Sequence, residues 1–202
     1  PGALTLILPR RAQAPAFACG AETTVGLRCP SHPVAQALLT AFAALGGHGV
    51  AAPSANRFGR VSPTTAAHVL DDLGADAPLI LDGGACEVGV ESTIIDLSRG
   101  HPVLLRPGGI AAAQIAQALG EPVRAPDAQA PRASGTLAAH YAPVTPIELV
   151  DAVALPQRIA RAQAAGHRVA VWAQRGPWQA AGAPAGVLWE PMPDDPEMSS
   201  RT

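Results

Sequence analysis

Hydroxyl, amide and guanidinium side chains gather at a few places in this 202-residue sequence, and their types suit the binding of an anion. The densest run is Pro53-Ser54-Ala55-Asn56-Arg57-Phe58-Gly59-Arg60-Val61-Ser62-Pro63-Thr64. Its small residues let backbone N–H groups turn toward one ligand, and its arginines are able to grip a phosphate or carboxylate bidentately. Further polar residues stand where short apolar runs begin or end. Thr24 and Arg28 flank one run, Glu91-Ser92-Thr93 leads into another, and Arg106 closes a third. Open α/β sheets bind ligands at strand ends, so these positions together describe a candidate anion-binding cleft. Plainer roles fit the same residues. Ser62-Pro63-Thr64 also reads as a helix N-cap worth about 1 kcal/mol, Arg28 and Arg106 as ion-pair residues, and Ser92-Thr93 as a cross-strand pair. Gly83-Gly84 and Pro107-Gly108 also read as simple turns, and nothing in the spacing makes Asp82 and Glu91 an acid–base pair.

The elements that must position these groups are legible from hydrophobic pattern. Leu4 to Leu8 and Val25 to Arg28 read as strands, the first stopped by Pro9. Ser31-His32-Pro33 opens a helix with proline in its first turn, where the missing N–H costs nothing. Val34, Leu38, Phe42 and Leu45 recur on it at helical spacing as a core stripe, and Gly46-Gly47 end it. Gly49 to Ala52 reads as a buried strand, and a helix to Leu73 opens at Ser62-Pro63. Leu79 to Asp82, Ser92 to Leu97 and Val103 to Arg106 are predicted strands, followed by an Ala-rich helix from Ile110 to Leu119 ended by Gly120. Strands alternating with helices predict a mixed α/β sheet, and the irregular alternation argues against a regular doubly wound fold. Residues 121–143 are proline-rich and read as an extended linker. Beyond it, Pro146 to Val150, Pro156 to Ala165 and Val169 to Ala173 predict a β-α-β unit that begins a second, nucleotide-fold-like domain. The expected organisation is therefore 1–120, a linker over 121–143, and 144–202.

Composition removes several classes of function. Apolar residues make up 48 % but aromatic ones only 3 %, so any core is built from Ala, Val, Leu and Ile. Charged residues are 15 % against a usual ~25 %, and the net charge of −2 gives no electrostatic footprint for tight non-specific nucleic-acid binding. All fourteen basic residues are arginine, so a step that needs lysine must draw on residues outside this chain. Cys19, Cys29 and Cys86 are widely spaced and fit reduced thiols of a cytoplasmic protein. The six histidines are scattered, which argues against a protein-built metal site. No apolar run reaches the ~18 residues of a membrane span, so no membrane partner is expected. Neither G-x-x-x-x-G-K-[ST] nor G-x-G-x-x-G occurs. The start at Pro1-Gly2 reads as a piece of a longer protein.

Six blocks in one order give a resemblance. They are Pro1-Gly2-Ala3-Leu4-Thr5; Thr24 to Arg28-Cys29-Pro30; Ala52 to Asn56 with Gly59 and Ser62-Pro63-Thr64; Asp82-Gly83-Gly84; Gly89 to Asp96; and Leu105-Arg106-Pro107-Gly108. Together they resemble the threonylcarbamoyl-AMP synthase family, whose catalytic module is the YrdC-like domain. Gly135 and His140-Tyr141-Ala142-Pro143 look like the segment that joins this module to a second domain in the longer members.

The resemblance implies a twisted mixed-sheet YrdC-like domain truncated at its N-terminus, a linker, and the start of a smaller Rossmann-like α/β domain. It implies an L-threonylcarbamoyladenylate synthase, a nucleotidyltransferase that uses L-threonine, bicarbonate and ATP with Mg²⁺. The product would pass to the machinery that makes threonylcarbamoyladenosine in tRNA. In that reading Arg28 holds the threonine carboxylate, and Ala52 and Ser92 line the amino-acid pocket. Thr24, Ser54, Ser62 and Arg106 contact ATP, Asn56 shapes the same loop, and Tyr141 with His140 closes over the nucleotide. No covalent nucleophile is implied. Ala3 in place of the family's proline and Ala133-Ser134-Gly135-Thr136 in place of S-P-G-M are departures. The family's basic N-terminal segment lies outside this chain, which implies little synthase activity from these residues alone. The alternative is a module of the same fold that binds double-stranded RNA or tRNA without chemistry. A carbamoyl-transfer domain of the hydrogenase-maturation type fits the His140-Tyr141 segment less well.

Overall fold

The computed structural model describes residues 1–12, 14, 22–131, 133, 145–174 and 184–192. The chain divides into two compact units, Pro1–Ala142 and Pro143–Thr202.

The first unit is organised on a four-stranded sheet in the order β2-β1-β3-β4, built from β1 (Leu4–Pro9), β2 (Thr24–Arg28), β3 (Thr93–Asp96) and β4 (Val103–Arg106). β1 runs antiparallel to β2 and parallel to β3, and β3 runs antiparallel to β4. This is the mixed sheet that the pattern predicted. Central β3, Thr-Ile-Ile-Asp, is buried along its whole length. Alternation sends Ile94, with Val103 and Leu105 of β4, to one face, where Ile7, Ala130 and Ala133 pack on them. On the other face Leu4, Leu6 and Ile95 meet Ile115 of helix α3 (Ala112–Leu119). That helix ends at Gly120, whose φ of 74° is the left-handed geometry that favours glycine at a C-terminus.

The register decides where the chemistry lies. Thr5 pairs with Arg28 and Ile94 with Arg106, so the C-terminal ends of β2 and β4 meet the N-terminal ends of β1 and β3. Four strand ends from distant parts of the chain therefore share one edge of the sheet.

Several expectations change. Helix α1 (Pro33–Ala44) forms where predicted, with His32 capping the Val34 N–H, but it buries no residue. Its stripe of Val34, Leu38, Phe42 and Leu45 is 38–87 % exposed, because no described element packs on that face. Gly49–Ala52, Leu79–Asp82 and Pro146–Val150 are not strands; apolar runs become strands only when a ladder partner satisfies their backbone, and none of the described residues supplies one. Helix α2 (Ala66–Leu73) is capped by Thr65, whose Oγ1 accepts the His68 N–H at 3.2 Å. Ser62 is thus not the cap. The front of the proline-rich stretch is held to the sheet as well: Arg124 bridges Val103 in parallel, and its carbonyl accepts the Leu104 N–H.

The second unit contains helix α4 (Leu155–Ala164) and two strands, β5 (Val169–Gln174) and β6 (Val187–Met192), which pair in parallel. Ile159 of the helix and Val171 of β5 are its buried apolar residues among those described. No helix among the described residues is long and apolar enough to cross a membrane.

An ion cluster anchored on one buried carboxylate closes the far end of β3. Asp96 is fully buried, and burial alone pushes its carboxyl up. Hydrogen bonds from the Ser98 hydroxyl and N–H, with Arg99 beside it, outweigh that push and hold its pKa below the usual 3.8. Arg99 continues to Asp127, tying the proline-rich stretch to the strand. A carboxylate whose pKa is depressed on folding contributes stability above its unfolded pKa and loses it as pH falls through the folded value. Asp96→Asn is expected to cost about 2 kcal/mol near neutral pH, by replacing an acceptor of the Arg99 Nε–H with a donor. Denaturant unfolding checks this: the wild-type advantage should shrink below about pH 4 as Asp96 protonates, and an advantage unchanged by acid refutes the assignment.

Candidate active site

At the shared sheet edge one serine is the centre. Ser92, just before β3, is 5 % exposed. Its Oγ lies 2.9 Å from Thr5 Oγ1, 3.3 Å from Arg28 Nη1 and 3.2 Å from Arg106 Nη2. A hydroxyl has one proton and two lone pairs. Two guanidinium groups donate to the lone pairs, and the proton goes to Thr5, so the capacity of Ser92 is filled. Two cations from opposite strands are thereby drawn to one neutral oxygen.

The two arginines differ in what surrounds them. Arg106 donates from Nε at 3.1 Å and Nη2 at 2.8 Å to the Ser92 carbonyl, and from Nη1 to the Glu91 carboxylate. Its side chain is 13 % exposed and its charge is balanced by Glu91. Arg28 ends an exposed stretch of β2 and forms no ion pair with any described residue. Arg28 therefore offers a positive charge that the fold positions and that no described acid pairs with.

Glu91 extends the chain of contacts to the polar loop, where the Ser62 hydroxyl donates to its Oε1 at 2.9 Å. That loop is pinned from below. Arg60 reaches Asp72 at 2.6 Å and Arg57 reaches Asp76 at 3.0 Å. Asn56 donates from Nδ2 to the carbonyls of Arg57 and Arg60, while its buried Oδ1 has no partner among the described residues. Ala55 takes φ 56°, an unusual conformation for a residue with a Cβ. Asn56 thus acts on the loop from within.

Of the residues singled out from sequence, Arg28, Ser92, Arg106 and Ser62 are joined in one network. Ala52 and Ser54 lie on the exposed loop and make no hydrogen bond to that network among the described residues. Thr24 begins β2, opposite Pro9, about 13 Å along the strand from Arg28 but on the same face. His140, Tyr141 and Cys19 lie outside the described residues. Asp82 is used apart from Glu91: its Oδ1 accepts the Gly84 N–H at 2.8 Å in a turn. Thr5 and the bridging role of Glu91 were missed, although both stand beside strand ends, since only the register shows that those ends meet.

Residues 1–108 match the Sua5/YciO/YrdC family profile, described as "Telomere recombination", and residues 110–199 match the profile for "Threonylcarbamoyl-AMP synthase, C-terminal domain". The chain is 40 % identical over 156 residues to the threonylcarbamoyl-AMP synthase of Pyrococcus abyssi, covering 75 % of this chain and 45 % of that protein. It is 41 % identical over 182 residues to the Bacillus subtilis enzyme of the same name, covering 85 % and 50 %. The chain thus spans about half the length of these curated relatives. A crystal structure of P. abyssi Sua5 complexed with L-threonine superposes with a TM-score of 0.83 at 33 % identity, covering all of this chain and 59 % of that one.

Proposed function

Because this chain belongs to the Sua5/YciO/YrdC family, we propose that its first unit carries the substrate cleft of an L-threonylcarbamoyladenylate synthase. In the proposed reaction the amine of threonine attacks bicarbonate and forms a carbamate, with water as the leaving group. A carbamate oxygen then attacks the α-phosphate of ATP, pyrophosphate leaves, and threonylcarbamoyl-AMP remains for the modification of tRNA in the cytoplasm.

The observation that carries this reading is Arg28, a guanidinium held 3.3 Å from Ser92 Oγ and unpaired with any acid among the described residues. A carboxylate matches its fork. Arg28 receives the threonine carboxylate, and Ser92 and Ala52 line the amino-acid pocket. The L-threonine complex of the P. abyssi relative supports this choice of ligand. Ser54, Ser62, Asn56 and Arg106 form the nucleotide side, Thr24 extends it along the sheet face, and His140 with Tyr141 closes over it. Residues 1–120 form the catalytic domain in this proposal, 121–143 the linker, and 144–202 the start of the second domain.

Catalysis in this arrangement is positioning and charge stabilisation rather than covalent chemistry. No three His, Cys, Asp or Glu side chains come together among the described residues, and Glu91 is already engaged by Arg106. Mg²⁺ would enter with the nucleotide and would supply charge stabilisation to its phosphates.

The test is pyrophosphate release from ATP by the protein expressed from its full reading frame, with and without threonine and bicarbonate. Release that depends on both is expected. Affinity for double-stranded RNA or tRNA without turnover would instead favour the binding module.

A further inference from the structure

We propose that the front of the proline-rich stretch, residues 124–131, is a brace for β4, and that Asp127 is a positioning residue which acts on Arg106 through it. The effect on substrate rests on the synthase reading, in which Arg106 faces the nucleotide; the brace itself does not.

The need for a brace comes from the β3–β4 ladder. Asp96 pairs with Val103 and Ile95 with Leu104, but Ile94 pairs with Arg106. Leu105 is therefore an extra residue, and Leu105 and Arg106 together oppose Ile94. Such a bulge breaks strict alternation and re-aims the side chain beside it. Here it accompanies the approach of Arg106, the last residue of β4, to the Ser92 carbonyl. A bulge also leaves the ladder locally without its regular pairing. β4 is in addition the last strand of the sheet, with one long side unpaired by any other described strand. Two features that loosen a strand thus fall next to the arginine.

Residues 124–131 answer both. Arg124 donates its N–H to the Pro102 carbonyl, and its own carbonyl accepts the Leu104 N–H, each at 2.9 Å. The outer edge of β4 is thereby paired on either side of Val103. Further on, Asp127 Oδ1 accepts the Gln129 N–H at 2.9 Å, and the Asp127 carbonyl accepts the Ala130 N–H at 3.1 Å. That turn lays Ala130 against the cluster of Ile94, Val103 and Leu105, so the bulged residue is covered. Arg99 fixes the turn in place, reaching Asp127 Oδ1 at 2.8 Å and Asp96 Oδ2 at 2.9 Å. Asp96 is wholly buried, so the brace is tied to the interior of the sheet. Asp127 serves the turn and the tie with the same oxygen.

The experiment measures hydrogen exchange at the Leu104 amide, and KM for ATP and for threonine, in the full-reading-frame protein. Asp127→Ala is expected to speed Leu104 exchange about fivefold, the scale of one partly exposed ion pair. The KM for ATP should rise about fivefold as well, with the KM for threonine changed less than about twofold. Asp127→Asn keeps an acceptor for the Gln129 N–H without the charge and should fall between. Glu148→Ala removes the Arg158–Glu148 ion pair of the second unit and should leave all three quantities at their wild-type values. A thermal melt of each variant separates the effect from global unfolding, which would not single out the KM for ATP. Unchanged Leu104 exchange in Asp127→Ala overturns the brace. Faster exchange with an unchanged KM for ATP overturns the action on Arg106. Absence of threonine-dependent turnover in wild type removes the synthase reading, and Leu104 exchange then decides for or against the brace by itself.

Discussion

Arg28→Ala is expected to raise the KM for threonine about a hundredfold, equivalent to roughly 2.7 kcal/mol, with the KM for ATP changed less than about threefold. The size follows from the loss of charge-assisted hydrogen bonds to a carboxylate, worth about 1.5–3 kcal/mol when the donor is charged. Its selectivity follows from the architecture. Arg28 ends an edge strand and is exposed, so its removal leaves the β1–β2 ladder intact. Ser92 keeps Thr5 and Arg106 as partners. Arg28→Lys should recover little, because an ammonium is a point charge and cannot present a fork to the carboxylate while also donating to Ser92. Steady-state kinetics with threonine varied at saturating ATP measures this. An unchanged threonine KM in Arg28→Ala removes the residue from the amino-acid pocket, and with it the observation on which the functional proposal rests.

The origin of that pocket also shows which parts of the fold sequence reasoning reaches. β1 to β4, α1 and α3 were legible because each carries its own periodicity and its own Gly or Pro stop. Gly49–Ala52 and Leu79–Asp82 carry the same apolar signal, but strand formation depends on a neighbour, which a local pattern does not encode. The α1 stripe repeats correctly at helical spacing and still faces no described element, since periodicity identifies an apolar face without identifying what covers it. Ser62 illustrates the same limit in the site. Serine before proline at a helix entrance is a sound cap signal, yet Thr65 lies closer to the first helical turn and takes the role. That frees the Ser62 hydroxyl to reach Glu91 from a distant part of the sequence. Arg28, Ser92 and Arg106 were recognisable as strand-end polar residues. Their convergence on one oxygen required the antiparallel pairing of β2 with β1 and of β4 with β3, which neither spacing nor residue type contains.

Gly108→Ala is expected to destabilise the first unit by about 3 kcal/mol and to displace Arg106 from Ser92, although the substitution adds only a single methyl group. A Cβ at Gly108 would stand 2.3 Å from the Glu91 carbonyl oxygen, 2.4 Å from the Thr93 nitrogen and 2.7 Å from the Ser92 carbonyl carbon. All three are backbone atoms at the entry to the buried central strand, so no side-chain rotation relieves the overlap. Nor is the loop free to lift away. Ile110 donates its N–H to Thr93 Oγ1 at 3.1 Å, and its carbonyl accepts the Thr93 hydroxyl at 2.8 Å. Thr93 is fully buried, so breaking this reciprocal pair leaves polar groups without partners, at a further cost of about 1–3 kcal/mol. The Pro107-Gly108 pair is thus more than a turn: the missing side chain lets the end of β4 lie against the Glu91–Thr93 backbone, and that approach brings the Arg106 guanidinium onto the Ser92 carbonyl. Thermal unfolding of Gly108→Ala beside Gly109→Ala gives an internal control. A Cβ at Gly109 meets the side chain of Val88 rather than backbone, and a side chain is able to turn aside. The loss at Gly108 should therefore exceed that at Gly109, and nucleotide affinity should fall with it. Equal and small losses at both positions would show that the close approach at Gly108 does not hold Arg106 in place.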